Sequence, residues 1–162
     1  MELVESDTNG RRYALKRVLL QSPDARLLGE LELTMLRKLD HPSIVRLHGS
    51  VRARAPQANA DELLMLLDYY PRGSLQNHLE TVKAASIKPS ALWIIRMFIN
   101  LCEAVEQIHA LDPPMAHRDI KPDNVMLGPD AQVGLIDFGS CIVARRTIDD
   151  RIALQEVIED SE

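Results

Sequence analysis

The spacing of apolar and polar residues changes several times along the chain, and each change marks an element. Residues 2–4 and 12–18 are short β-compatible runs on either side of Ser6-Asp7-Thr8-Asn9-Gly10. Asn9-Gly10 signals a hairpin turn, since both residues tolerate positive φ. Ser22-Pro23-Asp24 then reads as an N-cap, a first-turn proline and a first-turn acid. Leu28, Leu31, Met35, Leu36 and Leu39 follow at helical spacing, and the helix is predicted to end near Asp40-His41-Pro42. Residues 44–47 and 63–69 are the next strands, with 52–61 between them predicted as an exposed connection. Tyr70-Pro71-Arg72-Gly73 breaks the pattern, and a short helix is expected over 74–82. Ser90 opens a long helix reaching His109, apolar on most faces. Its polar stripe is Arg96, Asn100, Glu103 and Gln107, a pattern that predicts a mostly buried helix. Beyond Asp112-Pro113-Pro114, residues 125–127 and 132–136 are strand-like. Residues 139–162 lose periodicity, with a transient helix expected within 150–158. The order β-β-α-β-β, then helices, then short strands predicts an α+β protein in two lobes, divided as 1–69 and 70–162.

Composition narrows the function classes. The chain has 162 residues, 46% hydrophobic and 27% charged, with a formal net charge of −5, ordinary values for a globular protein. Lys and Arg are scattered rather than clustered, so no nucleic-acid partner and no membrane-binding footprint is expected. Arg96 and Glu103 interrupt the longest apolar run, so no membrane segment is predicted. Cys102 and Cys141 have neither CxxC nor Cys/His spacing, which argues against a zinc site or a disulfide framework. The first residues lack a signal-peptide pattern, and Glu2 stands where myristoylation needs glycine. A cytoplasmic location is the expectation.

The chemistry concentrates in His117-Arg118-Asp119-Ile120-Lys121-Pro122-Asp123-Asn124 and, further on, Asp137-Phe138-Gly139. Either motif alone is weak. Together, in this order and at this spacing, they resemble the signature pair of eukaryotic protein kinases, H-R-D-x-K-P-x-N and D-F-G. The resemblance implies a bilobal kinase-like fold, ATP and Mg²⁺ as cofactors, and a protein substrate with a Ser or Thr acceptor. It also implies roles. Asp119 accepts the proton of the attacking hydroxyl, and Lys121 stabilises charge on the transferred phosphoryl group. Asn124 and Asp137 supply hard oxygen ligands for Mg²⁺. Lys121 two residues after Asp119 is similar to the serine/threonine branch.

Upstream, Ala14-Leu15-Lys16 matches the A-x-K of the family's third strand, whose lysine holds the ATP phosphates and pairs with a helix glutamate. Two acids compete for that pairing. Glu32 has Leu28, Met35 and Leu36 at helical spacing around it, whereas Glu30 is flanked by Arg26 and Thr34. An acid facing the core is costly unless paired, so Glu32 is the predicted partner. Residues 63–74 resemble the fifth strand and the hinge. The resemblance places Leu67 as gatekeeper, and Asp68, Tyr69 and Tyr70 along the hinge whose backbone holds the adenine edge. Ala14 and Met126 would enclose the ring, and Leu36, Leu47, His117 and Phe138 would form the packed column between lobes. The hinge and D-F-G-S stretches are similar to the Numb-associated kinase group. Of the remaining candidates, His48, His78 and His109 share no ligand spacing, Cys141 is expected to be inert, and Thr147 lies where an activation segment could be phosphorylated.

The resemblance covers essentially the whole chain, which matches only the middle of a kinase domain. Counting back from Lys16, the valine that ends a glycine-rich loop falls at Met1, and Ser161-Glu162 comes before any A-P-E. The expectation is therefore an incomplete domain, inactive alone and exposing apolar surface. The favoured reading is a piece of an active kinase; the alternatives are a pseudokinase-like binding module and a small-molecule phosphotransferase. The latter family commonly lacks Arg118 and the Lys-Pro pair.

Overall fold

The protein is described by a computed structural model over residues 1–55 and 60–144. Over these described residues it is α+β, with one four-stranded antiparallel sheet and three α-helices. Strands β1 (Glu2–Glu5), β2 (Arg12–Leu19), β3 (Leu47–Ala55) and β4 (Ala60–Asp68) lie in the order β1-β2-β4-β3. Helix α1 (Pro23–Lys38) begins where Ser22 Oγ accepts the Ala25 N–H at 3.1 Å, satisfying one of the donors a helix start leaves free. Its inner face buries Glu32, Leu33, Met35 and Leu36. That face packs with Leu63, Met65 and Leu67 of β4 in one hydrophobic core.

Helices α2 (Leu75–Ala84) and α3 (Ala91–His109) follow, then β5 (Met115–Ala116) and the hairpin of β6 (Val125–Leu127) with β7 (Val133–Leu135). Strand β8 (Ile142–Val143) pairs with β5. The sheet side and the β6–β7 side are joined through residues 43–45. The Val45 N–H donates to the Leu135 carbonyl at 3.0 Å, and the Leu135 N–H to the Ser43 carbonyl at 2.9 Å. These bonds tie β7, and hence Asp137 just beyond it, to the loop that follows α1.

Three expectations need correction. Residues 52–55, 60 and 61 are strand, not an exposed connection. Their charges are met by ion pairs, Arg52 with Glu30 at 2.6 Å and Asp61 with Arg26 at 3.6 Å, while the adjoining buried Glu62 takes Arg17 at 2.9 Å. Residues 44–46 form no strand; Ile44 makes a single bridge to Leu135 and the strand starts at Leu47. Finally, α3 is not mostly buried. Only Ala104 and Ile108 are enclosed, while Leu92, Ile95, Phe98 and Ile99 are each more than half exposed. The expected transient helix within 150–158 lies outside the described residues. Among those described, no helix is long and apolar enough to cross a membrane.

Candidate active site

The site assembles where β2, α1 and the two loops flanking the β6–β7 hairpin meet. Lys16, in the middle of β2, donates from Nζ to Glu32 Oε1 at 2.6 Å and to Asp137 Oδ1 at 3.1 Å. One ammonium thus joins the sheet, the helix and the loop after β7. Glu32 is 4% exposed, and it also accepts the Phe138 backbone N–H. Burial raises its carboxyl against the pull of Lys16. Burial also works against the Lys16 charge, but Glu32 and Asp137 outweigh it and hold the ammonium above its ordinary value. The proton therefore stays on the lysine. Glu30, the competing acid, sits nearer the surface with Arg52.

Asp137 adopts left-handed backbone angles, φ 67° and ψ 73°, a conformation that costs a non-glycine residue about 1 kcal/mol or more. The contacts on either side hold it there. Its carboxylate is engaged by Lys16, and the next side chain, Phe138, is fully buried with its ring 5.0 Å from the His117 imidazole. Both His117 nitrogens are occupied. Nε2 lies 3.0 Å from the Ile136 carbonyl, which it can only meet as a donor, and Nδ1 accepts the Asp119 N–H at 3.3 Å. This pattern fits a neutral ring, in keeping with the burial that lowers its pKa. His117 thereby fixes the backbone on both sides of the site.

Asp119, Lys121 and Asn124 form one hydrogen-bonded group. Asp119 Oδ2 accepts from Lys121 Nζ at 2.9 Å and from Asn124 Nδ2 at 2.8 Å; Asn124 Nδ2 also donates to the Asp119 carbonyl at 2.9 Å. The Lys121 bond is the main cause holding the Asp119 carboxyl below its ordinary value, and Asp119 in turn raises Lys121. Asp119 is ionised at neutral pH and able to accept a proton from a group brought to its free oxygen. With its amide nitrogen turned to Asp119, Asn124 presents its oxygen on the other side.

Beside these groups lies a cleft of about 270 Å³. Ala14 borders it from β2, Met126 and Ile136 from the β6–β7 side, Val45 and Leu67 at the back, and Asp68, Tyr69 and Tyr70 along one edge. Its apolar walls suit a flat ring, in the way small-ligand clefts commonly do. The Asp68 carboxylate is engaged elsewhere, by His48 Nε2 at 2.7 Å and Arg11 at 3.2 Å. Sequence reasoning did not single out Val45 or Ile136, although Ile136 directly precedes Asp137 and could have been placed by β alternation. Cys141 is buried and its thiol is pushed up to about 12 by burial, so it is inert. His48, His78 and His109 do not converge: His48 meets Asp68, and His78 stacks on Trp93. Thr147 lies outside the described residues. Leu36 and Phe138 are buried in the core, and Leu47 packs against it.

Residues 2–158 match the protein kinase domain family. The chain belongs to that family. It is similar to human serine/threonine-protein kinase 16, 36% identical over 141 residues, covering 86% of this chain and 45% of that protein. The mouse protein of that name is 33% identical over the same coverage. A probable serine/threonine-protein kinase of Dictyostelium discoideum is 29% identical over 131 residues, covering 77% of this chain and 35% of that protein. The chain therefore spans less than half the length of these curated relatives.

Proposed function

We propose that the whole protein transfers the γ-phosphoryl group of ATP to Ser or Thr hydroxyls of a protein substrate. The observation that carries this reading is the double engagement of Lys16, which joins buried Glu32 to Asp137 while Asp119, Lys121 and Asn124 form their own group close by in the chain's fold. Phosphoryl transfer asks a protein mainly for positioning and charge neutralisation, and these residues supply both. The kinase family generally uses ATP and Mg²⁺.

The residues fit that pair. The apolar cleft would take the adenine between Ala14 and Met126, with the backbone of Asp68 and Tyr70 at its edge. Lys16 would reach the phosphates. Among the described residues no cluster of three His, Cys, Asp or Glu could hold a metal. The Asn124 amide oxygen and the Asp137 carboxylate, both hard donors, would hold Mg²⁺ together with phosphate oxygens, the arrangement this ion favours at nucleotide sites. Bound there, the metal would offset phosphate charge. Asp119 would orient the acceptor hydroxyl and take its proton, and Lys121 would stabilise charge on the group in transit.

The relatives' names and Lys121 favour Ser/Thr acceptors. The intact set of Lys16, Glu32, Asp119, Asn124 and Asp137 disfavours the binding-module alternative. In the whole protein, Asp119→Asn removes the proton acceptor while keeping the shape that Lys121 and Asn124 contact. Turnover should fall at least about 100-fold, the lower end for general-base loss, with ATP affinity retained. Unchanged turnover would remove Asp119 from the base role.

A further inference from the structure

Tyr70 and Gly134 meet more closely than any side chain at position 134 would permit. A Cβ on Gly134 would lie 2.1 Å from Tyr70 Oη, 2.3 Å from Cζ and 2.9 Å from Cε2. The phenol ring therefore lies against the bare Cα of Gly134, which is buried in the middle of β7. Gly134 pairs with Met126 in register, and Ile136 follows two residues on, so the three share one side of the hairpin. Met126, Ile136 and Tyr70 all border the cleft. Burial pushes the Tyr70 hydroxyl up to about 12, which marks the ring as enclosed rather than free in water.

We propose that Gly134 is a positioning residue for nucleotide binding, a seat that holds the Tyr70 ring clear of the adenine cleft. The ring is anchored at the hinge, packs against the hydrophobic core and shares the cleft wall with Met126 and Ile136. A methyl group at position 134 evicts it. Turning toward the cleft keeps its apolar contacts; turning toward solvent gives them up, so the cleft is the favoured destination. The evicted ring then occupies the space a base would take. Position 134 thus acts on binding without touching the ligand, through the side chain of a hinge residue whose backbone serves it.

This inference rests on the reading of the cleft as a nucleotide site, and the experiment separates the two. ATP binding with magnesium is measured by titration calorimetry on the whole wild-type protein and on its Gly134→Ala, Tyr70→Phe, Tyr70→Ala and Tyr70→Ala/Gly134→Ala variants. Gly134→Ala should weaken binding at least tenfold. Tyr70→Ala sets the reference affinity for a cleft without the ring, and Tyr70→Phe the reference for a seated ring without its hydroxyl. The double variant should recover to near the Tyr70→Ala value, a rescue that a merely structural defect at position 134 would not give. Should Gly134→Ala fail to fold, the double variant must fold and bind. Wild-type affinity in Gly134→Ala, or a double variant no better than Gly134→Ala, would overturn the seat. No binding by the folded whole wild-type protein would overturn the nucleotide reading itself, and the seat with it.

Discussion

At the scale of single side chains, the two acids of α1 separate a structural and a chemical role. Glu32 is buried against Lys16, and Glu30 is paired with Arg52 nearer the surface. Removing one partner of a buried pair leaves the other charge uncompensated. Glu32→Ala should cost about 3 kcal/mol, the lower end for such pairs because Asp137 still meets Lys16. Glu30→Ala should cost no more than about 0.5 kcal/mol. Urea denaturation of the two variants checks the contrast, and equal losses would contradict it. His117 sets a pH dependence. Burial lowers its pKa beneath the ordinary 6.5, so below that pH the unfolded chain binds more protons than the native one. The contribution is fully present above pH 6.5 and is lost as pH falls through the native value. The thermal midpoint should fall below pH 6.5, and His117→Gln should flatten that part of the profile. An unchanged slope in the variant would assign the loss to other groups.

At the scale of elements, the sequence was most readable where one side chain carried the information. The apolar flank of Glu32 distinguished it from Glu30, and Ser22-Pro23 placed the start of α1 within a residue. It was least readable where distant partners neutralise local polarity. Residues 52–55, 60 and 61 look like a loop because Arg52, Arg54 and Asp61 are charged, as is Glu62 beside them. Glu62 can sit in a strand because Arg17, across the sheet, meets it. The contact of Tyr70 with Gly134 was illegible for the same reason, since it joins residues far apart in sequence. Helix α3 shows the limit of periodicity: the pattern says that its faces want burial, not whether anything in the described residues buries them. Its two ends should respond differently. Ile108→Ala, at a fully buried position, should cost about 3 kcal/mol. Phe98→Ala, at 61% exposure, should stay within about 0.5 kcal/mol. Equal costs in denaturation would show that the apolar face of α3 is covered.

At the scale of the whole molecule, the fold brings an apolar cleft of about 270 Å³ and five polar groups together from the two ends of the described chain. Lys16 and Glu32 come from the first part, Asp119, Asn124 and Asp137 from the last described part. The bonds of residues 43–45 to β7 keep these halves in register. We propose that this assembly, within the whole protein, phosphorylates Ser or Thr. The most direct measurement incubates that protein with γ-labelled ATP, magnesium and a general protein substrate, then identifies the labelled amino acid after hydrolysis. Label is expected on Ser or Thr, and lost in Asp119→Asn. Label on tyrosine alone, or none from a folded wild-type protein that binds ATP, would contradict it.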